Sequence, residues 1–136
     1  MRRQVKSISG LDSVGGVDVD NLIAKRFEQN FLHQNKKKKL RDSTKLKYFA
    51  ERAKQNLSTS FNTKVAIYDV CCRPTGGDVV TSLSRDEFDQ IVRPLLVSTM
   101  FVKENCLQEA SVEKSEIDYV VLVGGCSKIP LLQSLI

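Results

Sequence analysis

Asp118-Tyr-Val-Val-Leu-Val-Gly-Gly-Cys-Ser-Lys-Ile-Pro130 is the stretch whose reading decides the fold. Residues 119–123 form an unbroken apolar run, rich in β-branched side chains and too short for a helix of its own. The run therefore reads as a strand buried on both faces, the kind found inside α/β sheets. Gly124 and Gly125 follow, and because neither carries a Cβ the backbone there can turn sharply and approach another molecule closely. Ser127 is placed to cap a helix beginning at Lys128, with Pro130 tolerated in its first turn. Strand, glycine turn and helix start together predict a ligand-binding corner, because sites in α/β sheets lie outside the carboxyl ends of the strands.

Working outward, the 136 residues suffice for one domain with a real core, and a hydrophobic content of 41% is that of an ordinary globular protein. No apolar run approaches the roughly 20 residues of a membrane span, and the Arg2-Arg3 start lacks the apolar stretch of a signal peptide. The four cysteines, Cys71, Cys72, Cys106 and Cys126, contain no Cys-x-x-Cys pair and read as free buried thiols. With His33 the only histidine, a structural zinc site is not expected. The net charge of +5 and the run Lys36 to Lys39 raise the question of nucleic acid. That run lies between two predicted helices without an aromatic platform or basic helix face, so it reads as a solvated loop with only nonspecific attraction for phosphate.

In chain order, residues 4–9 alternate well enough for a strand with Val5 and Ile8 packed, and residues 10–16 read as its loop. A helix begins at Asp18 and ends near Gln34, with Val19, Leu22, Ile23, Phe27 and Phe31 on one apolar face. A second opens at Asp42 or Ser43 and turns Leu46, Phe49, Ala50, Ala53 and Leu57 toward the core. Residues 64–72 read as a strand, residues 74–77 as its turn and residues 78–83 as the hairpin partner. Ser84 with Glu87 three residues later spells a capping box. The helix it opens carries Phe88, Ile91, Val92, Leu95 and Leu96 inward, and Pro94 is expected to kink or divide it. Residues 110–115 connect to the opening strand. The chain stops at Ile136, about two turns into the last helix, which reads as a truncation.

Conventional site chemistry is missing from this sequence: no Walker-type phosphate loop, no Gly-x-Gly-x-x-Gly, no Ser/His/Asp set and no metal box. One polar feature stands out. Glu51, Lys54, Gln55 and Ser58 fall at steps of three and four on the second helix, so their hydrogen-bonding groups share one stripe. Read alone, that stripe is an ordinary solvated face.

The opening stretch also resembles the adenosine-binding loop of the seventy-kilodalton heat-shock chaperones, the DnaK-type family. The resemblance continues in order through Val14-Gly-Gly-Val-Asp-Val-Asp-Asn21, Ala50-Glu-Arg-Ala-Lys-Gln-Asn-Leu-Ser-Thr59 and Ser82-Leu-Ser-Arg-Asp-Glu-Phe-Asp89, and so spans nearly the whole chain. It implies an α/β fold, with an α+β outer subdomain inserted in one lobe of an actin-like ATPase, represented here as an incomplete fragment. Residues 15–92 would form the outer helical and hairpin unit, and residues 1–14 and 93–136 part of the inner α/β layer.

The resemblance further implies that Glu51 and Lys54 bind the ribose hydroxyls of ATP or ADP. Ser58 would meet the adenine edge, Gly125 and Cys126 would line the purine through backbone, and Gly124 would belong to the same nucleotide-binding set. Gln55 and Lys128 stand where the family usually has arginine stacked on adenine, and losing one such stack costs on the order of 0.5–2 kcal/mol. The phosphate loops, catalytic lysine and magnesium-binding aspartates of the family match no residue here. The implied function is thus the adenosine-holding lobe of a chaperone ATPase, catalytic only in a complete parent that also supplies magnesium. The implied partners are nucleotide-exchange factors, co-chaperones and unfolded clients, with no specific nucleic acid and no membrane. The implied compartment is the cytoplasm, or the endoplasmic reticulum for a parent with a signal sequence. The alternative is a divergent, weakly nucleotide-binding module that engages exchange factors or regulates another chaperone.

Overall fold

Val19, Ile23, Phe27 and Phe31 recur every four residues, and in the computed structural model they form the buried ridge of the first helix, α1 (Gly16–Gln34). The structure describes residues 4–35, 40–41, 43–70 and 77–136. The lysine run 36–39, the Cys71–Cys72 pair and most of the expected hairpin turn lie outside the described residues. Helix α2 (Thr44–Leu57) lays Leu46, Ala50, Ala53 and Leu57 against that ridge, again at helical spacing. Its small residues Ala50 and Ala53 let the two helices approach closely.

Strands β1 (Asn62–Ile67) and β2 (Val79–Ser84) form an antiparallel pair in which Asn62 faces Ser84 and Ile67 faces Val79. That register puts Thr63, Val65, Ile67, Val79 and Leu83 on the one face that meets the helices, and all five are buried. The strand predicted to run to residue 72 stops at Ile67 because Asp69 takes a left-handed backbone, φ 55°. The resulting change of direction brings Val70 inward, where its amide bonds the Gly77 carbonyl and its carbonyl accepts from the Arg41 amide.

Helix α3 (Arg85–Ala110) starts at Ser84, whose Oγ accepts from the Glu87 amide at 3.1 Å. Only half of the expected capping box forms, since the Glu87 carboxylate is taken by Arg26 of α1 at 2.7 Å. Asn30 on the next turn of α1 accepts from Arg26 and donates to Thr81 of β2, so one polar seam joins three elements. Arg85 makes a second seam: its Nε caps the Leu57 carbonyl at 2.9 Å while its guanidinium stacks 4.6 Å from the Phe61 ring centroid. Pro94 does not divide α3. Both Pro94 and Gln90, whose carbonyl loses its helical donor, are exposed, so water can meet the freed group.

Three expectations fail at the two ends of the chain. Residues 4–9 and 119–123 take no regular secondary structure, and the residues expected to be packed are exposed: Val5 74%, Ile8 84%, Tyr119 88% and Val121 80%. Apolar composition does not make a strand without a neighbour to satisfy its amides and carbonyls, and among the described residues the only ladder is β1 with β2. The last helix, α4 (Pro130–Leu135), begins two residues later than expected, with Pro130 at its first position and Ile129 as its cap. Ser127 does not cap it; its hydroxyl donates to the Gly124 carbonyl at 2.6 Å inside a 3₁₀ turn, Gly125–Lys128. Ile129 and Leu131 are nevertheless buried in the same apolar cluster as α1 and α2, which fixes this segment to the core.

Phe27 sits at the centre of that cluster, 1% exposed. Phe27→Ala is expected to cost about 3–5 kcal/mol in urea denaturation. Asp89 of α3 supplies a test with the opposite sign. Its Oδ1 is buried without a hydrogen-bond partner, and burial, outweighing Arg85 and Arg93 nearby, raises its carboxyl above the usual range. The folded state thus disfavours the ionised form, and stability falls as pH rises through the raised value. Asp89→Asn is expected to raise Tm at neutral pH, with the gain vanishing below the carboxylate range.

Candidate functional site

The polar stripe of α2 divides on folding. Glu51 and Gln55 are exposed, whereas Lys54 and Ser58 are half-buried. Ser58 turns its hydroxyl onto its own helix, donating to the Lys54 carbonyl at 3.2 Å. Lys54 leans across to the first turns of α1. Its ammonium donates to the Gly16 carbonyl at 3.1 Å and lies 2.7 Å from Asp20 Oδ1, with only 14% and 15% of the two side chains exposed. At 2.7 Å the Asp20 oxygen is within reach of a charge-assisted hydrogen bond from the ammonium.

Gly16 is also where the glycine corner arrives. A Cβ at that position would stand 3.4 Å from Lys54 Nζ and 3.5 Å from Cys126 Sγ. Two side chains from segments more than seventy residues apart therefore converge on one glycine. The corner itself is built on Gly124, whose φ of 92° and ψ of 167° strongly favour glycine. The Ser127 amide and hydroxyl both bond the Gly124 carbonyl, and Gln133 of α4 donates to the Ser127 carbonyl at 2.8 Å, so the turn is held from both ends. Gly125 is exposed, with nothing within 4 Å of where its Cβ would lie. Lys128 is exposed on the outer side of the same turn.

Of the eight residues the sequence singled out, the structure thus brings Lys54 and Cys126 to the same glycine. Ser58 and Gly124 join them through their own elements, and Glu51, Gln55, Gly125 and Lys128 stay open to solvent. Gly16 and Asp20 were missed. Both lie in the Val14–Asn21 block, and their spacing of four residues on α1 was the available signal, since it puts the two on one side of the helix facing α2.

An apolar cavity of about 340 Å³ lies beside this site rather than in it. Val14, Val19, Leu96, Val120, Leu122 and Cys126 are among its walls, but neither Lys54 nor any other residue of the α2 stripe is. It is the gap between α3 and the unpaired segment 119–123, so it follows from the absent ladder. Among the described residues no three His, Cys, Asp or Glu side chains are grouped to hold a metal ion. Cys106 and Cys126 are free thiols and half-buried, less enclosed than expected, and His33 is exposed at the last turn of α1. No helix among the described residues is long and apolar enough to cross a membrane.

The sequence model of the family described as Hsp70 protein matches residues 2–136. A heat shock 70 kDa protein of Neurospora crassa is 35% identical over 98% of this chain and 21% of its own length. A heat shock 70 kDa protein of Trichophyton rubrum is 34% identical over 98% of this chain and 20% of its own. A ribosome-associated molecular chaperone of Eremothecium gossypii is 37% identical over 97% of this chain and 22% of its own. The chain spans about a fifth of the length of these curated relatives. With a family match over all but its first residue, the chain belongs to the Hsp70 family.

Proposed function

We propose that this chain is the adenosine-holding part of an Hsp70-type chaperone ATPase, gripping the nucleoside of ATP or ADP between the polar edge of α2 and the diglycine corner. The observation that supports this reading is the convergence of Lys54 and Cys126 on Gly16, which sets the two expected contact regions near one another in space. Family membership supplies the ligand class. In this reading Glu51 accepts from, and Lys54 donates to, the ribose hydroxyls, a pairing suited to a diol. Ser58 meets the adenine edge, and the backbone from Gly124 to Cys126 lies flat along the purine because its glycines add no side chain. Gln55 and Lys128 flank the base without the planar guanidinium that stacks best, so adenine is held less tightly than in relatives with arginine at these positions.

The chain's part is binding and orientation. Phosphoryl chemistry and magnesium belong to other segments of a parent protein, which is proposed to fold clients with co-chaperones and exchange factors. The unpaired apolar segments 4–9 and 119–123 are proposed to be strands of the inner layer of an actin-like lobe, with residues 15–92 forming the outer unit.

Titration of the isotope-labelled chain with ADP is expected to move the amide signals of Glu51, Lys54, Gly125 and Lys128, leaving those of the hairpin unchanged. A spectrum without ADP-dependent change contradicts the reading. Restoring the guanidinium by Gln55→Arg or Lys128→Arg is expected to tighten ADP binding by about 2- to 30-fold, the range of one cation–π contact, as read by calorimetry.

A further inference from the structure

We propose that Asp20 is a positioning residue for the ribose contact: its carboxylate holds the Lys54 ammonium in place, so that the remaining N–H of Lys54 faces the nucleoside before it binds. The proposal rests on the adenosine reading above and assigns to α1 a part in ligand recognition that the α2 stripe alone does not provide.

Three observations converge. First, the contact is close and sheltered, with Asp20 Oδ1 2.7 Å from Nζ and both side chains about six-sevenths buried. A buried ion pair roughly breaks even against an apolar pair of the same volume, so net stabilisation is a poor account of it; what it does fix is the location of a charge. Second, Lys54 carries three N–H donors, of which one is spent on the Gly16 carbonyl. The Asp20 carboxylate oxygen, 2.7 Å from the same nitrogen, takes a second, which leaves the third N–H for a ligand. Third, the side chain so held ends beside Gly16, the residue that Cys126 Sγ of the glycine corner also approaches.

The consequence is entropic. A free lysine side chain carries rotamer entropy that a ligand must otherwise remove, whereas a side chain ordered by Asp20 presents its donor in advance. Asp20 does not itself touch the nucleoside; its effect passes through Lys54 and is confined to the hydroxyls that Lys54 reaches.

The test uses the full 136-residue chain, with calorimetric affinities for ADP and for 2′,3′-dideoxy-ADP, which lacks both hydroxyls. Asp20→Asn is expected to weaken ADP about five- to tenfold while hardly changing dideoxy-ADP, and Asp20→Glu to recover part of the loss. Preserved amide dispersion in each variant establishes that it is folded. If Asp20→Asn changes both nucleotides alike, or neither, while Lys54→Met still weakens ADP selectively, Asp20 is merely structural and the adenosine reading stands. If Lys54→Met also leaves the ratio of the two affinities at its wild-type value, or if wild-type chain binds no ADP, both ideas fall together.

Discussion

The arrangement depends on a single charged contact, the Lys54 ammonium drawn between the Asp20 carboxylate and the Gly16 carbonyl. It joins the start of α1 to the last turn of α2, and it does so at the glycine that the C-terminal corner approaches. Without it, Lys54 would be a long, solvated side chain on an outer face, and the corner would meet only apolar helix. The apolar ridge of Val19, Ile23, Phe27 and Phe31 sets the two helices side by side, but ridge packing is indifferent to which polar groups line the seam. The ion pair and the hydrogen bond settle that.

The hairpin unit is locked by different means. Arg26, Asn30 and Glu87 bind α1 to β2 and α3, and Arg85 closes the end of α2 against the start of α3. Each lies at the margin of the core, where side chains remain partly hydrated and such contacts add direction more than stability. The result is a unit whose core and polar seams are complete, carrying an exposed apolar segment before α1 and another between α3 and the corner.

Much of this was legible in the sequence because the signals were local. Period-four apolar spacing located α1, α2 and α3 to within a few residues, and the alternation at Val65 and Ile67 located the hairpin. Ser84 announced its helix by a cap that needs only three residues. The strands expected at residues 4–9 and 119–123 do not form, and the sequence could not reveal this, since a strand is a property of two segments and its pattern names only one. Asp69 illustrates a smaller version of the same limit: nothing in the alternating run reveals that one residue adopts a left-handed backbone and reverses which side chains turn inward. At the candidate site, helical spacing found Lys54, and the glycine pair marked the turn bearing Cys126. Asp20 and the close approach at Gly16 emerge only when α1 is laid against α2.

The most direct test of the central claim is a nuclear Overhauser spectrum of the chain, read at the Lys54 side chain. Cross-peaks from its terminal methylene protons to the Gly16 α-protons, together with Gly16 cross-peaks to the Cys126 β-protons, are the result this account predicts. If α2 shows its packing contacts through Ala50, Ala53 and Leu57 while Lys54 shows none to Gly16, the two regions do not meet and the account is wrong.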